Sequence, residues 1–158
     1  MPGKPGRPDQ ARSFTISRTM NRFLLLCCFC LPLRQMQLNS GYGFRIHPIT
    51  GQYAFHSGID LRARSDTVFA VMAGRIIATG YDHFLGVFIR LGNGDFQITY
   101  GHLSQVFVLP ADSVEAGCPL GVSGRTGRVT GEHLHFAVRY RGAYTNPIQF
   151  LTHLNNFN

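Results

Sequence analysis

Apolar and polar positions alternate with period two along residues 133–140, His133-Leu134-His135-Phe136-Ala137-Val138-Arg139-Tyr140. In a strand, successive side chains point to opposite faces, so Leu134, Phe136 and Val138 turn into a core while His133 and His135 share the other side. From residue 33 onward, short apolar segments of this kind alternate with turns rich in Gly, Asn and Asp. The pattern predicts strands at 36–39, 59–62, 68–72, 75–80, 87–91, 96–100, 120–122 and 133–140. Leu91-Gly92-Asn93-Gly94-Asp95-Phe96 reads as a hairpin, because Asn and Gly tolerate the positive φ of tight turns. Only 104–108 and 146–154 have the makings of short helical turns. Strands so spaced, without repeats or heptads, predict a mostly β domain, a small antiparallel sheet folded into a sandwich or open barrel.

Composition sharpens the outline. The 158 residues are 44% hydrophobic and 15% charged, with 18 Gly and 13 Phe, which favours a turn-rich β protein over a helical bundle. Six basic residues against Asp9 give residues 1–34 a formal +5 of the chain's +7, leaving +2 for the rest. The folded part has no basic stripe, which excludes nucleic acid as the expected partner. Residues 1–32 read as a disordered basic extension followed by a short apolar run at 23–31, 33–151 as the domain, and 152–158 as a C-terminal tail. Met20-Asn21-Arg22 before that run has the order of a secretory signal, although no Ala-x-Ala follows it, and the run is too short to span a bilayer. Export is therefore expected, with any membrane contact confined to residues 23–31. Cys27, Cys28 and Cys30 cluster there and Cys118 stands apart. They make no zinc-finger spacing, so a metal here must be held by histidine and carboxylate.

Candidate chemistry gathers at three places. Two imidazoles side by side on one strand face begin a zinc site. Upstream, in Phe55-His56-Ser57-Gly58-Ile59-Asp60-Leu61, His56 and Asp60 are four apart and share a side if the segment is extended. His102 ends another predicted strand, in Tyr100-Gly101-His102-Leu103-Ser104. A catalytic zinc takes three protein ligands and keeps a fourth position for water. Two further imidazoles could accept that water's proton and steady an oxyanion. His56, Asp60, His102, His133 and His135 fill those parts, and spacing alone leaves open which of them ligate.

In that order, His56-x-x-x-Asp60, Gly101-His102-Leu103-Ser104 and Gly131-x-His133-Leu134-His135-Phe136 resemble the motifs of the lysostaphin-type (LytM, M23 family) zinc endopeptidases of bacterial cell walls. The stretches Ser40 to Gly51 and Ser123 to Gly131, and Asn146-Pro147, resemble the family's flanking segments, so the likeness runs over residues 33–151. It implies one zinc ion on His56, Asp60 and His135, with His102 and His133 off the metal as catalytic histidines. His133 would be the general base and His102 the group that polarises or stabilises the tetrahedral intermediate, a division the resemblance does not settle. It further implies a groove over the metal, peptidoglycan as the substrate, cut at an amide of its stem peptide or cross-bridge, and work in the periplasm or cell envelope. Asp66 and Cys118 depart from the usual pattern, but no metal or catalytic position does.

Arg45 and Tyr53 fall near the expected groove as substrate-contact candidates, with pairing to a local acid the competing reading for the arginine. His47 reads as a turn residue, His83 and His153 as surface, Tyr100 as packing. A second functional reading is a catalytically silent module of the same fold that grips peptidoglycan or an amidase. A third is a cupin-like metal barrel, but there the His-x-His pair comes first in the chain, and here it comes last.

Overall fold

Leu134, Phe136 and Val138 are fully buried, and the strand that carries them is the hub of the molecule. The computed structural model describes residues 30–46 and 51–155. The extension, the apolar run up to residue 29 and His47 lie outside the described residues. The elements are β1 (Leu38–Ser40), β2 (Gly43–Ile46), β3 (Tyr53–His56), β4 (Ile59–Arg62), β5 (Thr67–Phe69), β6 (Gly74–Asp82), β7 (Gly86–Asn93), β8 (Phe96–Val106), β9 (Ser113–Val114), β10 (Pro119–Ser123), β11 (His133–Tyr140), β12 (Ala143–Thr145) and α1 (Pro147–Asn155). The main sheet runs β1-β4-β11-β8-β7-β6-β9, with β12 on the far half of β11 and β10 bridging β8 to β5. Every pairing is antiparallel, and β2 with β3 forms a separate ribbon.

The mostly β expectation holds, and its strongest alternations fall where they were read, since β4 and β11 have the predicted bounds. The hairpin also forms. Asn93 pairs with Phe96 across Gly94 and Asp95, and Gly94 takes φ +54° at the first turn position, the type II′ pattern that matches strand twist. Residues 104–108 are not a helical turn; β8 runs on through Val106, because its second half finds a new partner in β10. The expected helix at the C-terminal end is present. Asn146 caps it through Oδ1 to the Ile148 N–H (3.0 Å), and Pro147 occupies the first turn, where a missing N–H costs nothing. This helix crosses the boundary expected after residue 151, seating Phe150, Leu151 and Leu154 against the core.

Strand β8 builds the site by changing partners. Its first half, Phe96 to Gly101, pairs with β11; its second half, from Leu103, pairs with β10. The step from Val87 to Ile89 on β7 faces the longer step from Leu103 to Tyr100, so β8 carries an extra residue there, a β-bulge. Its His102 has φ +61°, left-handed backbone that costs a non-glycine residue on the order of 1–2 kcal/mol. Ile98, Tyr100 and Leu103 all stay in the core, and the bulge turns His102 out of their row. No helix among the described residues is long and apolar enough to cross a membrane.

Candidate active site and metal centre

Strand parity delivers two of the groups. On β11, His133 and His135 lie opposite the buried row, and His135 pairs with Asp60 of β4 on one side and with Gly101 of β8 on the other. Ile59 and Leu61 are buried, so Asp60 points to the histidine face. His56 arrives differently. It ends β3 of the small ribbon, and Ser57-Gly58 carry the chain into the main sheet, so His56 and Asp60 meet across a change of sheet.

Three donor atoms converge. His56 Nε2 lies 3.2 Å from Asp60 Oδ1 and 3.3 Å from His135 Nδ1, and the last two are 2.9 Å apart. These three residues form a group able to hold a metal ion. Tetrahedral zinc with ligands at 2.0–2.1 Å places its donors about 3.3 Å apart, close to the observed triangle. Chemistry fits as well as spacing. The Nδ1–H of His56 donates to the Gly41 carbonyl (2.7 Å), which fixes the tautomer and leaves Nε2 a lone pair facing the other two donors. The donor set therefore fits zinc.

The other two histidines stand beside the triangle. His133 Nδ1–H donates to the Gly131 carbonyl (2.8 Å), and its Nε2 lies 3.5 Å from Asp60 Oδ1. His102 Nδ1–H donates to the Thr126 carbonyl (2.9 Å), and its ring meets that of His133 edge-on at 4.6 Å. Carbonyls only accept, so in both rings the neutral form carries its proton on Nδ1 and keeps Nε2 as an acceptor.

The field inside the cluster is uneven. Burial alone would raise the Asp60 carboxyl, but the ring nitrogens of His133, His135 and His56 packed against it outweigh that and hold the group well below the usual carboxylate range. Burial pushes His102 down to about 4, and neighbouring His133 adds to the shift, so this ring is neutral at pH 7. Burial also lowers His135 against the pull of Asp60. For His133 the burial penalty is overcome by contact with Asp60, and its pKa rises.

These groups floor an open cavity of about 220 Å³, whose walls include Arg45, Phe84, Leu85 and Arg128. Arg45 lines the groove and also meets the acid, with Nη2 3.5 Å from Asp60 Oδ2. Tyr53 is not in the groove. Arg45 and His56 share one face of the ribbon; Tyr53 lies on the other, 73% exposed and stacked on Phe44 at 5.4 Å. The sequence reading missed Phe84, Leu85, Arg128 and the carbonyls of Gly41, Thr126 and Gly131. The first three carry no signal until the chain folds, and backbone acceptors carry none at all.

Gly58 shows how closely the centre is built. A Cβ there would sit 2.6 Å from the Phe136 carbonyl and 2.8 Å from Cε1 of His135. If the triangle holds zinc, Gly58→Ala is expected to tilt the His135 ring and weaken that binding about 10–100-fold, the usual effect of disturbing a ligand's support. Competition with a chromophoric chelator, alongside circular dichroism to check the fold, measures this; wild-type affinity would refute it.

Sheet, groove and donor set together are those of a metallopeptidase domain. The chain belongs to peptidase family M23, whose sequence profile matches residues 54–147. Over 105 residues it is 36% identical to the peptidoglycan DD-endopeptidase ShyC of Vibrio cholerae, a match covering 65% of this chain and 24% of that protein. A zinc-containing peptidase from Vibrio cholerae superposes with a TM-score of 0.67 at 29% identity, over 73% of this chain and 37% of that one. The catalytic domain of lysostaphin from Staphylococcus simulans gives 0.66 at 31% identity, over 74% of this chain and 92% of that one. The chain spans about a quarter of the length of the curated relatives it matches.

Proposed function

We propose that the protein is a zinc-dependent endopeptidase that hydrolyses amide bonds in the peptide part of peptidoglycan. The observation that carries this is the donor triangle of His56, Asp60 and His135, open to a groove and flanked by two imidazoles that stand outside it. Relatives named as a peptidoglycan DD-endopeptidase and a zinc-containing peptidase support the substrate class and the metal. Zinc in such a set is a Lewis acid that makes water nucleophilic near neutral pH and polarises a carbonyl.

The chain's own residues do the rest. His56 Nε2, Asp60 Oδ1 and His135 Nδ1 would hold the ion, and the other carboxylate oxygen of Asp60 lies 3.5 Å from Arg45 Nη2. His102 and His133 handle the proton. With Nδ1–H committed to a carbonyl, each neutral ring accepts at Nε2 and, once protonated, donates from the same atom. A ring that takes the proton of the attacking water can thus return it to the departing amine without turning over. The other, when protonated, donates from Nε2 to the carbonyl oxygen and steadies the charge that grows there. Such a substrate places the work in the cell envelope, in keeping with the basic-then-apolar order of residues 20–31.

Digestion of peptidoglycan by the zinc-loaded chain, read by mass spectrometry, tests the proposal and identifies the bond. Amide-cleaved fragments are expected, absent with a chelator and restored by zinc. Binding to peptidoglycan without any fragment would replace the enzyme with the silent binding module.

A further inference from the structure

The loop between β10 and β11 contributes no zinc donor, yet it is tied into the sheet where His102 sits. The Thr126 hydroxyl accepts from the Val87 N–H (2.9 Å) and donates to the Leu103 carbonyl (2.7 Å). Val87 and Leu103 are register partners across β7 and β8, at the rung beside the bulge. The hydroxyl therefore bridges the two strands where the extra residue disturbs the ladder. The Thr126 carbonyl, fixed by that bridge, receives Nδ1–H of His102.

The approach is possible because two glycines meet there. A Cβ on Gly86 (φ +63°) would lie 2.3 Å from the Thr126 carbonyl carbon, and one on Gly127 (φ +76°) 2.3 Å from the Gly86 nitrogen. The His102 N–H donates to the Leu85 carbonyl (2.7 Å), so its left-handed backbone is held from the same turn. Among the described residues, no other hydrogen bond of the ring sets its tautomer or aim.

The geometry points to Thr126 as a positioning residue, whose hydroxyl bridge holds the carbonyl that keeps His102 in its Nδ1–H form with Nε2 toward the groove. This rests on the part given to His102 in the proposed reaction. Thr126 touches neither metal nor substrate in this account; it acts through His102.

Two substitutions test it. Thr126→Val keeps the shape and removes the bridge, and Thr126→Ser keeps the hydroxyl. In the zinc-loaded valine variant, kcat is expected to fall about 10–100-fold, the usual scale for disturbing a supporting hydrogen bond, with KM within about twofold and zinc content unchanged. The serine variant is expected within about threefold of wild type, since its hydroxyl makes both bonds. Nitrogen-15 shifts of the His102 ring should show the Nδ1–H tautomer in wild type and the serine variant, and a mixture in the valine variant. Thr126→Ala carries the same expectations should the valine chain fail to fold. Wild-type kcat in a folded variant lacking the hydroxyl, a loss confined to KM, an unchanged tautomer, or a serine variant as slow as valine would each overturn the inference. If the wild-type protein cleaves nothing, the peptidase reading falls, while the tautomer comparison still decides the role of Thr126.

Discussion

His135→Ala is expected to abolish zinc binding and, with it, turnover, while leaving a folded β protein. The substitution removes one corner of the triangle and leaves two donors, His56 Nε2 and Asp60 Oδ1, 3.2 Å apart. Losing a direct ligand exceeds the roughly 10–100-fold cost of losing a ligand's hydrogen-bond partner, so zinc should no longer copurify with the chain. The fold should survive because β11 is held by the residues on either side of position 135. Leu134 and Phe136 are fully buried, and the backbone rungs to Asp60 and Gly101 do not involve the imidazole. A thermodynamic readout separates metal loss from unfolding. A ligand at a thousand times its Kd stabilises the native state by about 4 kcal/mol, so zinc should raise the melting temperature of wild type and not that of His135→Ala. Metal analysis and melting with and without zinc measure both. Stoichiometric zinc in the variant would remove His135 from the ligand set.

How much of this was readable beforehand depends on what each residue needs from the fold. The β4 and β11 strands were legible because period-two alternation and burial coincide, and the same parity placed Asp60, His133 and His135 on one face. The β2–β3 ribbon was not legible as strands. Its alternation is inverted: Phe44, Ile46, Tyr53 and Phe55 are 45–73% exposed, while Arg45 and His56 face inward to the site. Apolar residues predict the buried side only when burial drives the strand, and here the polar side is the one turned toward the site. That inversion also puts Tyr53 on the exposed face of the ribbon, away from the groove it was expected to line.

His102 shows where strand parity stops being a guide. Tyr100 and His102 have the same parity, so a regular strand would put the histidine in the core beside a tyrosine that is fully buried. One extra residue in β8 reverses this, and nothing in Tyr100-Gly101-His102-Leu103 announces it beyond a glycine. Its place at the end of a predicted strand made His102 a candidate and the motif resemblance gave it a role; the partner change from β11 to β10 accounts for how it reaches the groove. Thr126 goes a step further, since its contact with His102 joins residues 24 apart through a backbone carbonyl.

His102→Ala is the counterpart of the His135 variant, because it should keep zinc and lose the reaction. The ring centroid of His102 is 5.8 Å from that of His135, and its Nδ1 is committed to Thr126, so no donor of the triangle depends on it. What disappears is a neutral proton acceptor: burial depresses the His102 pKa to about 4, which leaves Nε2 unprotonated at working pH. A positioned acid–base group contributes about 10²–10⁴-fold, and a loss of kcat in that range is expected with KM nearly unchanged. Alanine also inherits the left-handed backbone, at a cost on the order of 1–2 kcal/mol. His102→Asn controls for that, because asparagine adopts this conformation readily and still cannot take up the proton. Both variants should bind zinc one to one and fall equally in kcat, with asparagine the more stable in melting. Wild-type turnover in the asparagine variant would leave His133 as the only proton carrier; loss of zinc in both would instead place His102 among the ligands.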